Sequence, residues 1–478
     1  MDIVIAGTLE KWLGVAPLCR ERLYLVGGTV RDLLLGHFPK DIDLVCRNAR
    51  EVAADIAQRN NATLVSMEKK PHQPCYRIVD RDNPDVFLDI AEMRGNDILE
   101  DLENRDFTMN AMAVEIRGGG TAGKLIDPMH GAVDIREKMI RMVSDRALVS
   151  DSLRILRAIR HAATLNFTIG ETTLREMRNS SGLLTCVSAE RILTELLLIL
   201  ASERSALYFR KMDDLGILGV LFPEIMPMKE CGQNGYHHKD VWGHSLLVME
   251  KVEGILNDLL GYFGGDSREV AGSLSSRTIP LLKMASLFHD IGKPITKGQR
   301  PDGRFTFYGH DKAGADIVRH IAERLRMPNR SRDLMVSLVR EHLKPLVLSR
   351  PESRRTSLVR WFRRMRDDAV PVLILGMADI MSSLGPASGV EYRNGVIAWI
   401  QESMHSYFSS LRQKIEAPLL VTGDDLISMG MEAGIELGNL LYRLRFAQDI
   451  GKITSREETL HAAQEMIRKR SEGRKRMR

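Results

Sequence analysis

The segment LYLVGGTVRDLLL at residues 23–35 decides the fold of the N-terminal part of this chain. Its first four residues, Leu23–Val26, are apolar and predict a short buried strand. The glycine pair that follows is typical of a turn, and Thr29–Leu35 predicts a helix after it. Alternating apolar and polar residues predict further strands downstream, at 41–45, 85–91 and 111–116. The sequence therefore indicates an α/β unit at this end of the chain.

Beyond Ser150 the strand signals almost vanish, and the apolar residues recur at helical spacing. A Gly- and Ser-rich stretch at 264–276 predicts a loop within this helical part. We therefore predict an α+β protein, with a small α/β head and an otherwise helical chain. The predicted domains are a head (1–145), a helical neck (146–205), a helical body (206–390) and a helical tail (391–478).

The composition is that of a globular protein that can bury a large core. Of its 478 residues, 44% are hydrophobic and 27% are charged. The 5 cysteines are scattered, which argues against a disulfide framework and against a thiolate zinc site. No apolar stretch approaches the roughly 20 residues of a membrane span, and Met1–Val4 carries an acid where a secretory signal has basic residues. These features predict a cytoplasmic protein without a membrane partner.

Positive charge is concentrated in two segments rather than abundant overall. The formal net charge is only +5. Six arginines lie between Arg354 and Arg366, and seven basic residues lie between Arg468 and Arg478. Such clusters suit a phosphate backbone, and a solvated face with a disordered tail explains them equally well.

Two carboxylates on one predicted strand carry the first chemical signal. Asp41 and Asp43 are two residues apart, so both project from the same face of the strand. Carboxylates held in this way can bridge two divalent cations, an arrangement that supports in-line attack at phosphorus. Upstream, Gly27 and Gly28 open a helix whose N-terminus favours anions, and Arg31 on its first turn can hold a phosphate. Taken singly, such features are common in proteins of many functions.

The order and spacing of these features resemble class II tRNA nucleotidyltransferases and bacterial poly(A) polymerases. The resemblance covers about residues 23 to 200. It implies a polymerase-β-like nucleotidyltransferase head, and an enzyme that extends the 3′ end of RNA without a template. Four further segments resemble this family in the same order: a ribose-reading segment (105–111), a head-to-neck segment (127–141), a base-reading helix (151–160) and a closing neck segment (188–196).

The resemblance also implies a metal centre in the head. Asp41 and Asp43 would hold the Mg²⁺ ions that activate the RNA 3′-hydroxyl and the α-phosphate, and pyrophosphate would leave. Asp89 is a candidate third carboxylate, with a surface role as the alternative. Arg105 and Asp106 would contact the ribose 2′-hydroxyl. The full set of candidate nucleotide-binding residues is Gly27, Gly28, Arg31, Arg105, Asp106, Asn110, Asp151, Arg154, Arg157 and Arg160.

Within this set the resemblance assigns base recognition to Asp151 and Arg154, one helical turn apart. The carboxylate would accept from the N4 amino group of cytosine, and the guanidinium would donate to the ring acceptors. Arg157 and Arg160 follow at helical spacing and would meet the triphosphate. A basic solvated helix face is the alternative for the three arginines.

Departures from the family pattern bear on which nucleotide is added. Ser150 stands where Glu is usual, and Asn104 stands where the family repeats Arg. Only residues 95–100 separate Arg94 from Asp101, where enzymes that add the terminal A carry a much longer flexible loop. The short segment resembles the CC-adding branch. It predicts addition of two CMP residues from CTP to the tRNA 3′ end, with a separate A-adding enzyme acting afterwards. The alternatives are full CCA addition, which also uses ATP, and poly(A) synthesis.

An ordered series of histidines and aspartates in the body resembles the metal-binding tetrad of HD-domain phosphohydrolases. Imidazole and carboxylate groups on helices can ligate a divalent transition metal that activates water for phosphoester hydrolysis. Two other interpretations stay open: the body serves mainly to bind RNA, or the protein is an HD phosphohydrolase whose head only binds nucleotide. The predicted ligands are His244, His289, Asp290 and Asp379, with His310 and His342 as extra candidates.

Overall fold

The computed structural model describes residues 12, 21–37, 39, 42–67, 74–117, 121–233, 239–385 and 388–476. The predicted catalytic residue Asp41 lies outside the described residues, as do the last two residues of the basic tail. The chain divides into two compact units, and each is described by itself. The first unit is Met1–Ser202 with Tyr208–Leu221, and the second is Glu203–Leu207 with Phe222–Arg478. The finer division into head, neck, body and tail stays a prediction.

The first unit is built on a mixed sheet that has seven strands within the described residues. The strand order is β3-β4-β5-β2-β1-β6-β7, in which β2 and β5 run parallel and the other neighbours are antiparallel. This confirms the predicted fold class. The strands are β1 (Leu23–Val26), β2 (Ile42–Cys46), β3 (Thr63–Met67), β4 (Cys75–Val79), β5 (Phe87–Glu92), β6 (Ala113–Arg117) and β7 (Thr121–Ile126).

Three strands of this sheet, β3, β4 and β7, are missing from the sequence-based prediction. β3 lies at the sheet edge and its residues are mostly exposed, so it lacks the apolar alternation that marks a half-buried strand. Its extended form comes from pairing with β4, a contact that is not local in the sequence.

Helices flank the sheet and continue beyond it. Helix α1 follows β1 directly, as the glycine pair predicts. A further pair of two-residue parallel strands, β8 (Met139–Ile140) and β9 (Thr168–Ile169), joins the helical part. The helices of this part are α1 (Gly28–Leu34), α2 (Ala49–Arg59), α3 (Ile98–Glu103), α4 (Gly131–Arg136), α5 (Ala147–Ser150), α6 (Arg154–Leu165), α7 (Glu171–Ser180), α8 (Ala189–Leu200), α9 (Ser205–Asp214) and α10 (Ile217–Leu221).

The second unit is almost entirely helical, with one small hairpin formed by β10 (Gly298–Gln299) and β11 (Phe305–Thr306). Its helices begin with α11 (Met226–Lys229), α12 (Val241–Asn257), α13 (Leu259–Phe263), α14 (Ser267–Ser273), α15 (Thr278–Phe288), α16 (Lys293–Thr296), α17 (His310–Arg324) and α18 (Asn329–Glu341). They continue with α19 (Lys344–Leu348), α20 (Arg355–Met365), α21 (Ala369–Ser382), α22 (Val390–Ser406), α23 (Arg412–Glu416), α24 (Gly423–Ser428), α25 (Ile435–Asp449) and α26 (Arg456–Arg476).

Helix α21 lies at the centre of this unit. Nearly all of its residues are buried, as expected for a helix that is apolar on every side. It packs against α12, which packs in turn against α15, and α15 packs against α18. These four helices place histidines and aspartates from distant parts of the sequence around one point.

The predicted loop at 264–276 is wrong, because α14 occupies much of it. Val270 in this helix is fully buried. Burial of that side chain favours a helical turn that the Gly- and Ser-rich composition does not reveal.

None of the described helices combines the length and the apolar character needed to cross a bilayer.

Candidate active site

Asp43 and Asp89 are direct neighbours on adjacent strands. β2 and β5 run parallel, and their register pairs the Cα atoms of these two residues. Side chains that face each other in this way project from the same face of the sheet, and both aspartates line one cavity. The backbone N–H of Asp43 donates a 2.8 Å hydrogen bond to Thr29 Oγ1 on α1, which fixes the strand against the helix.

The carboxylate of Asp89 is held by a cation. Arg77 on β4 donates to both of its oxygens, at 2.8 and 2.7 Å. The guanidinium also lies over the ring of Phe87, 3.8 Å from its centroid. The two carboxylates nevertheless fit a divalent cation such as Mg²⁺, because they offer oxygen ligands side by side on one rigid sheet.

Gly27, the first residue of the glycine pair, lies close to Asp43 of the carboxylate pair. Its φ angle is +66°, a conformation that side chains disfavour. A Cβ atom at this position would lie 2.9 Å from Arg105 Nη1 and 3.8 Å from Asp43 Oδ2. The glycine is therefore required both by the turn and by the close approach of two predicted site residues.

The short segment 95–100, which precedes Arg105, is held by side-chain hydrogen bonds. Arg105 donates to Asp101 Oδ2 at 3.0 and 2.8 Å, and the same carboxylate accepts the backbone N–H of Arg94. Within the turn, the N–H of Asn96 donates to Glu100. These hydrogen bonds hold the short segment 95–100 against helix α3.

Asp106 is the centre of a buried network. Its Oδ1 accepts the N–H of Phe107 and the amide of Asn110, and its Oδ2 accepts Arg157 at 2.9 and 2.6 Å. Burial alone would raise the pKa of Asp106, but the charge of Arg157 and these hydrogen bonds lower that pKa well below its usual range. Arg31 reaches the same network, since its Nη1 donates to Asn110 Oδ1 at 2.9 Å.

The predicted base-reading pair lies at the start of α6 rather than within it. The helix begins at Arg154, and Asp151 has extended backbone angles just before it. Arg191 on α8 donates to both carboxylate oxygens of Asp151, at 3.1 and 2.9 Å. Arg154 donates to the carbonyl oxygens of Asn104 (2.6 Å) and Ala147 (2.9 Å).

Arg160 contacts a different set of residues from Arg154. It forms a 2.8 Å ion pair with Glu195 on α8 and contacts the buried His161. Burial and the charges of Arg160 and Arg157 lower the pKa of His161 well below its usual value, so this imidazole is neutral.

One cavity of about 460 Å³ brings most of the predicted residues together. Among the described residues, the predicted ones that line it are Asp43, Asp89, Arg105, Asp106, Asp151, Arg154 and Arg157. Those that do not line it are Gly27, Gly28, Arg31, Asn110 and Arg160.

Three residues of this site have no role in the sequence-based prediction. Thr29 and Arg191 lie inside segments that resemble the family, and their types give no signal of the bonds they make. Arg77 lies on a strand that the sequence does not reveal. Each contact joins residues distant in sequence, so pattern analysis of single segments cannot find it.

The second unit holds a separate cluster that contains all six predicted histidines and aspartates. Their side chains form two buried groups, and the ligand atoms within each group lie within 4.8 Å of one another. Gly292 permits this packing, since a Cβ there would lie 2.2 Å from the carbonyl oxygen of His310. The groups are His244, His289 and Asp379, and Asp290, His310 and His342.

The imidazoles of this cluster present their Nε2 atoms to its centre. In His289, His310 and His342, Nδ1 lies 2.8, 2.7 and 2.6 Å from a backbone carbonyl oxygen three residues earlier. Nδ1 therefore donates to the carbonyl oxygen, so a metal bound by these residues would be held by Nε2. The Nε2 atoms of His310 and His342 lie only 3.3 Å apart.

Asp290 lies among these imidazoles, with Oδ1 3.3 Å from His310 Nε2 and Oδ2 3.2 Å from His289 Nε2. Lys293 Nζ also pairs with Asp290 Oδ2, at 2.6 Å. Burial lowers the pKa of His342 to about 4, which keeps it in the neutral form that binds metals. The donor set fits a divalent metal such as Zn²⁺, Mn²⁺ or Fe²⁺.

Comparison with known proteins bears on both units. The sequence profile described as "Poly A polymerase head domain" matches residues 23–141, "Probable RNA and SrmB- binding site of polymerase A" matches 166–229, and "HD domain" matches 241–383. A CC-adding tRNA nucleotidyltransferase of Thermus thermophilus is 31% identical over 441 residues, which is 91% of each chain. An A-adding tRNA nucleotidyltransferase of Deinococcus radiodurans is 30% identical over 442 residues, 91% of this chain and 93% of the relative. The solved apo structure of a CCA-adding enzyme has a similar fold, with a TM-score of 0.63 at 21% identity over 97% of this chain and 96% of that one.

Proposed function

The chain belongs to the family of tRNA nucleotidyltransferases, and from that premise we propose that it transfers CMP from CTP to the 3′ end of tRNA and stops after two additions. The observation that carries the proposal is the single cavity lined by Asp43, Asp89, Asp151 and Arg154. It combines carboxylates suited to a metal centre with an acceptor and a donor suited to cytosine. The relatives include a CC-adding and an A-adding enzyme at similar identity, so the choice of product rests on this cavity and on the short segment before Arg105.

We assign Asp41 and Asp43 as ligands of two Mg²⁺ ions, and Asp89 as a third carboxylate. When bound, the ions lower the pKa of the RNA 3′-hydroxyl and offset the negative charge of the triphosphate. In the reaction the 3′-oxygen bonds to the α-phosphorus, and the bond from that phosphorus to the departing pyrophosphate breaks. The bond from Asp43 N–H to Thr29 keeps this strand fixed against α1 throughout.

We assign the ribose 2′-hydroxyl to Arg105 and Asp106, and the triphosphate to Arg31, Arg157 and Arg160. Asn110 ties Arg31 to the Asp106 network, and Arg157 bonds to Asp106 itself, so these two cations are oriented before the nucleotide arrives. The N–H groups of Gly27 and Gly28 lie at the start of α1, where backbone can approach a phosphate.

Cytosine recognition follows from hydrogen-bond capacity. A carboxylate has about four lone-pair positions, so Asp151 can accept the N4 amino group of cytosine while it is held by Arg191. A guanidinium has five N–H groups, and the bonds from Arg154 to described residues use three of them. Uracil and guanine present donors and acceptors in the reverse order and would leave these groups unpaired.

The bonded turn before Arg105 is the reason to propose a stop after two cytidines. Asp101 ties both Arg94 and Arg105 to α3, and Glu100 closes the turn through Asn96. A segment so short and so well bonded has little freedom to reshape the site from CTP to ATP. A separate A-adding enzyme would then finish the tRNA end in the cytoplasm.

Product mapping tests this proposal. The purified chain is incubated with tRNA that ends at the discriminator base, with CTP, ATP or both, and product lengths are read at single-nucleotide resolution. We expect two cytidines and no use of ATP. A complete CCA end made by the chain alone would replace the proposal with full CCA addition, and long A tails would replace it with poly(A) synthesis.

A second function is proposed for the other unit, on the observation that six buried histidines and aspartates form two groups of converging ligand atoms. We propose that the six-residue cluster binds a divalent transition metal and hydrolyses phosphoesters. A His310→Ala/His342→Ala variant should lose bound metal, measured by mass spectrometry, and lose hydrolysis of p-nitrophenyl phosphate. CMP addition should persist.

The matched control for this test is His320→Ala/His461→Ala, since both of these histidines are exposed. It should keep the metal content and the hydrolysis rate of the natural chain. Equal metal content in the two variants would retire the second function and leave the body as an RNA-binding element.

A further inference from the structure

Arg77, Asp89 and Asp43 form a row across three neighbouring strands of the first unit. Strands β4, β5 and β2 lie side by side in the sheet. The register pairs the Cα atom of Asp89 with that of Arg77 on one side and with that of Asp43 on the other. Residues paired in this way project from the same face of a sheet. Asp89 therefore lies between a cation and the second carboxylate.

The ion pair between Arg77 and Asp89 is stronger than an ordinary surface pair. The guanidinium donates to both carboxylate oxygens, and bidentate pairs of this kind are among the strong charge-assisted hydrogen bonds. The two side chains are only 28% and 14% exposed, so water screens this pair less than it screens a surface pair. The charge of Asp89 is thus largely offset before any metal binds.

Phe87 holds the guanidinium from a second direction. It lies two residues before Asp89 on β5, so its ring projects from the same face of the sheet. Cζ of Arg77 lies 3.8 Å from the centre of this ring, a distance at which a cation is attracted to an aromatic face. A ring and a carboxylate together therefore fix the cation in place before any ligand is bound.

The cation lies on the side of Asp89 that is remote from Asp43. Both aspartates line the nucleotide cavity, whereas Arg77 does not. A metal ion that reaches Asp89 from the cavity meets a carboxylate whose charge is already offset. The guanidinium on the other side of that carboxylate also repels the metal ion.

The same cation stabilises the carboxylates when no metal is bound. Like charges directly opposite each other on adjacent strands are destabilising, and Asp43 and Asp89 are such a pair. The positive charge of Arg77 reduces their repulsion. Arg77 thus does for the metal-free protein part of what a divalent cation does for the loaded one.

We propose that Arg77 is a positioning residue that keeps the affinity of Asp43 and Asp89 for a divalent cation low until a nucleoside triphosphate is bound. The triphosphate supplies further oxygen ligands and negative charge, which outweigh the repulsion from Arg77. The cation then enters the site with the nucleotide and not ahead of it. The inference rests on the proposed function, in which Asp89 is the third carboxylate, and adds the residue that controls when the metal binds.

Titration of the full-length chain with Mn²⁺, followed by electron paramagnetic resonance, tests the inference without relying on activity. Arg77→Gln removes the charge and keeps an amide that can donate to Asp89. It should tighten Mn²⁺ binding without nucleotide on the order of tenfold, as expected when a unit charge a few ångströms from a divalent ion is removed in a largely aqueous dielectric. Damage to the fold would not raise the affinity. Unchanged or weaker Mn²⁺ binding would overturn the inference.

The histidine–aspartate cluster of the second unit is itself proposed to bind such an ion. Every variant is therefore made in a His310→Ala/His342→Ala background, in which that contribution is removed. If this background lowers the melting temperature, the natural chain serves instead, because the second unit then contributes equally to all titrations.

Two controls separate charge from other effects of the substitution. Arg77→Lys keeps the charge, so its Mn²⁺ affinity should stay close to that of the natural chain. Arg22→Gln removes the same charge from a side chain that is 79% exposed and pairs with Glu115. It should also bind Mn²⁺ as the natural chain does. A gain in either control equal to that in Arg77→Gln would contradict a charge effect at Asp89.

Asp89→Asn separates this inference from the function on which it depends. If this variant binds Mn²⁺ more weakly but Arg77→Gln binds as the natural chain does, the inference fails and the third carboxylate stands. If Asp89→Asn changes neither Mn²⁺ binding nor CMP addition, Asp89 is not a ligand and both fail. If Arg77→Gln gains affinity but the natural chain adds no CMP to tRNA, the inference stands and the proposed function fails.

Discussion

Arg191 on α8 holds both carboxylate oxygens of Asp151, although the two residues lie 40 positions apart. Asp151 precedes α6 in an extended conformation, so its side chain lies outside the helix. The position of the proposed cytosine-reading carboxylate is therefore set by Arg191 on α8. Arg191 is a positioning residue under the proposed function.

Replacing this arginine should affect nucleotide choice more than folding. We expect Arg191→Ala to lower kcat/KM for CTP about 10- to 100-fold, because a displaced contact group costs about that much. Discrimination between CTP and UTP should fall as well. Arg191→Lys should restore part of the loss, since an ammonium can also hold the carboxylate through one nitrogen, as Nη2 of Arg191 does. The exposed Arg175→Ala on α7 is the control, and an equal effect on CTP and UTP would contradict a positioning role.

Gly27→Ala should damage both backbone and site. The backbone of Gly27, with φ +66° and ψ −133°, lies outside the left-handed helical region and costs on the order of 1–3 kcal/mol for a residue with a Cβ. The added Cβ would also lie 2.9 Å from Arg105 Nη1. Gly36→Ala is the control, because its φ is also positive, at +74°, and its Cβ would meet nothing within 4 Å. We expect both variants to lose stability in thermal unfolding, and only Gly27→Ala to lose CMP addition. Equal activity in the two would remove Gly27 from the site.

Asp43→Asn should lower CMP addition on the order of 10³-fold, which is the scale for removal of one electrostatic contact to the reacting group. The hydrogen bond to Thr29 is made by the backbone, so the fold should be unaffected. Single-turnover addition to tRNA measures the effect, with thermal unfolding as the check on folding. Activity within tenfold of the natural chain would exclude Asp43 as a metal ligand.

His161 should make the first unit less stable in acid. Burial and the neighbouring cations lower its pKa in the folded state, whereas the unfolded chain protonates near pH 6.5. The contribution of neutral His161 to the free energy of unfolding is therefore fully present above about pH 6.5. It is lost as the pH falls below that value, because only the unfolded state gains the proton.

We expect the difference in free energy of unfolding between the natural chain and His161→Gln to shrink by about 1 kcal/mol between pH 6.5 and 5.5. Urea unfolding followed by circular dichroism at the two pH values measures it. The histidines of the second unit are unchanged and cancel in the comparison. A constant difference would mean that the pKa of His161 is the same in the folded and unfolded states.

Much of the first unit follows from local sequence. The apolar run Leu23–Val26 and the glycine pair after it indicate a strand and a helix, and the structure has both. The strand and the helix follow from a local pattern, because each depends on side chains only a few residues apart. The histidines and aspartates of the second unit are instead distant in sequence, and it is the resemblance to HD-domain proteins that indicates that they form a cluster.

Other features depend on contacts that no local pattern encodes. The exposed edge strand β3 extends only because β4 pairs with it. The parallel register of β2 and β5 brings Asp89 beside Asp43, and the packing of α8 brings Arg191 to Asp151. The sequence by itself determined which residue types carry the chemistry and roughly where they lie along the chain. The tertiary structure decided which of them meet and which are held by ion pairs, because register and helix packing are set by burial of side chains distant in sequence.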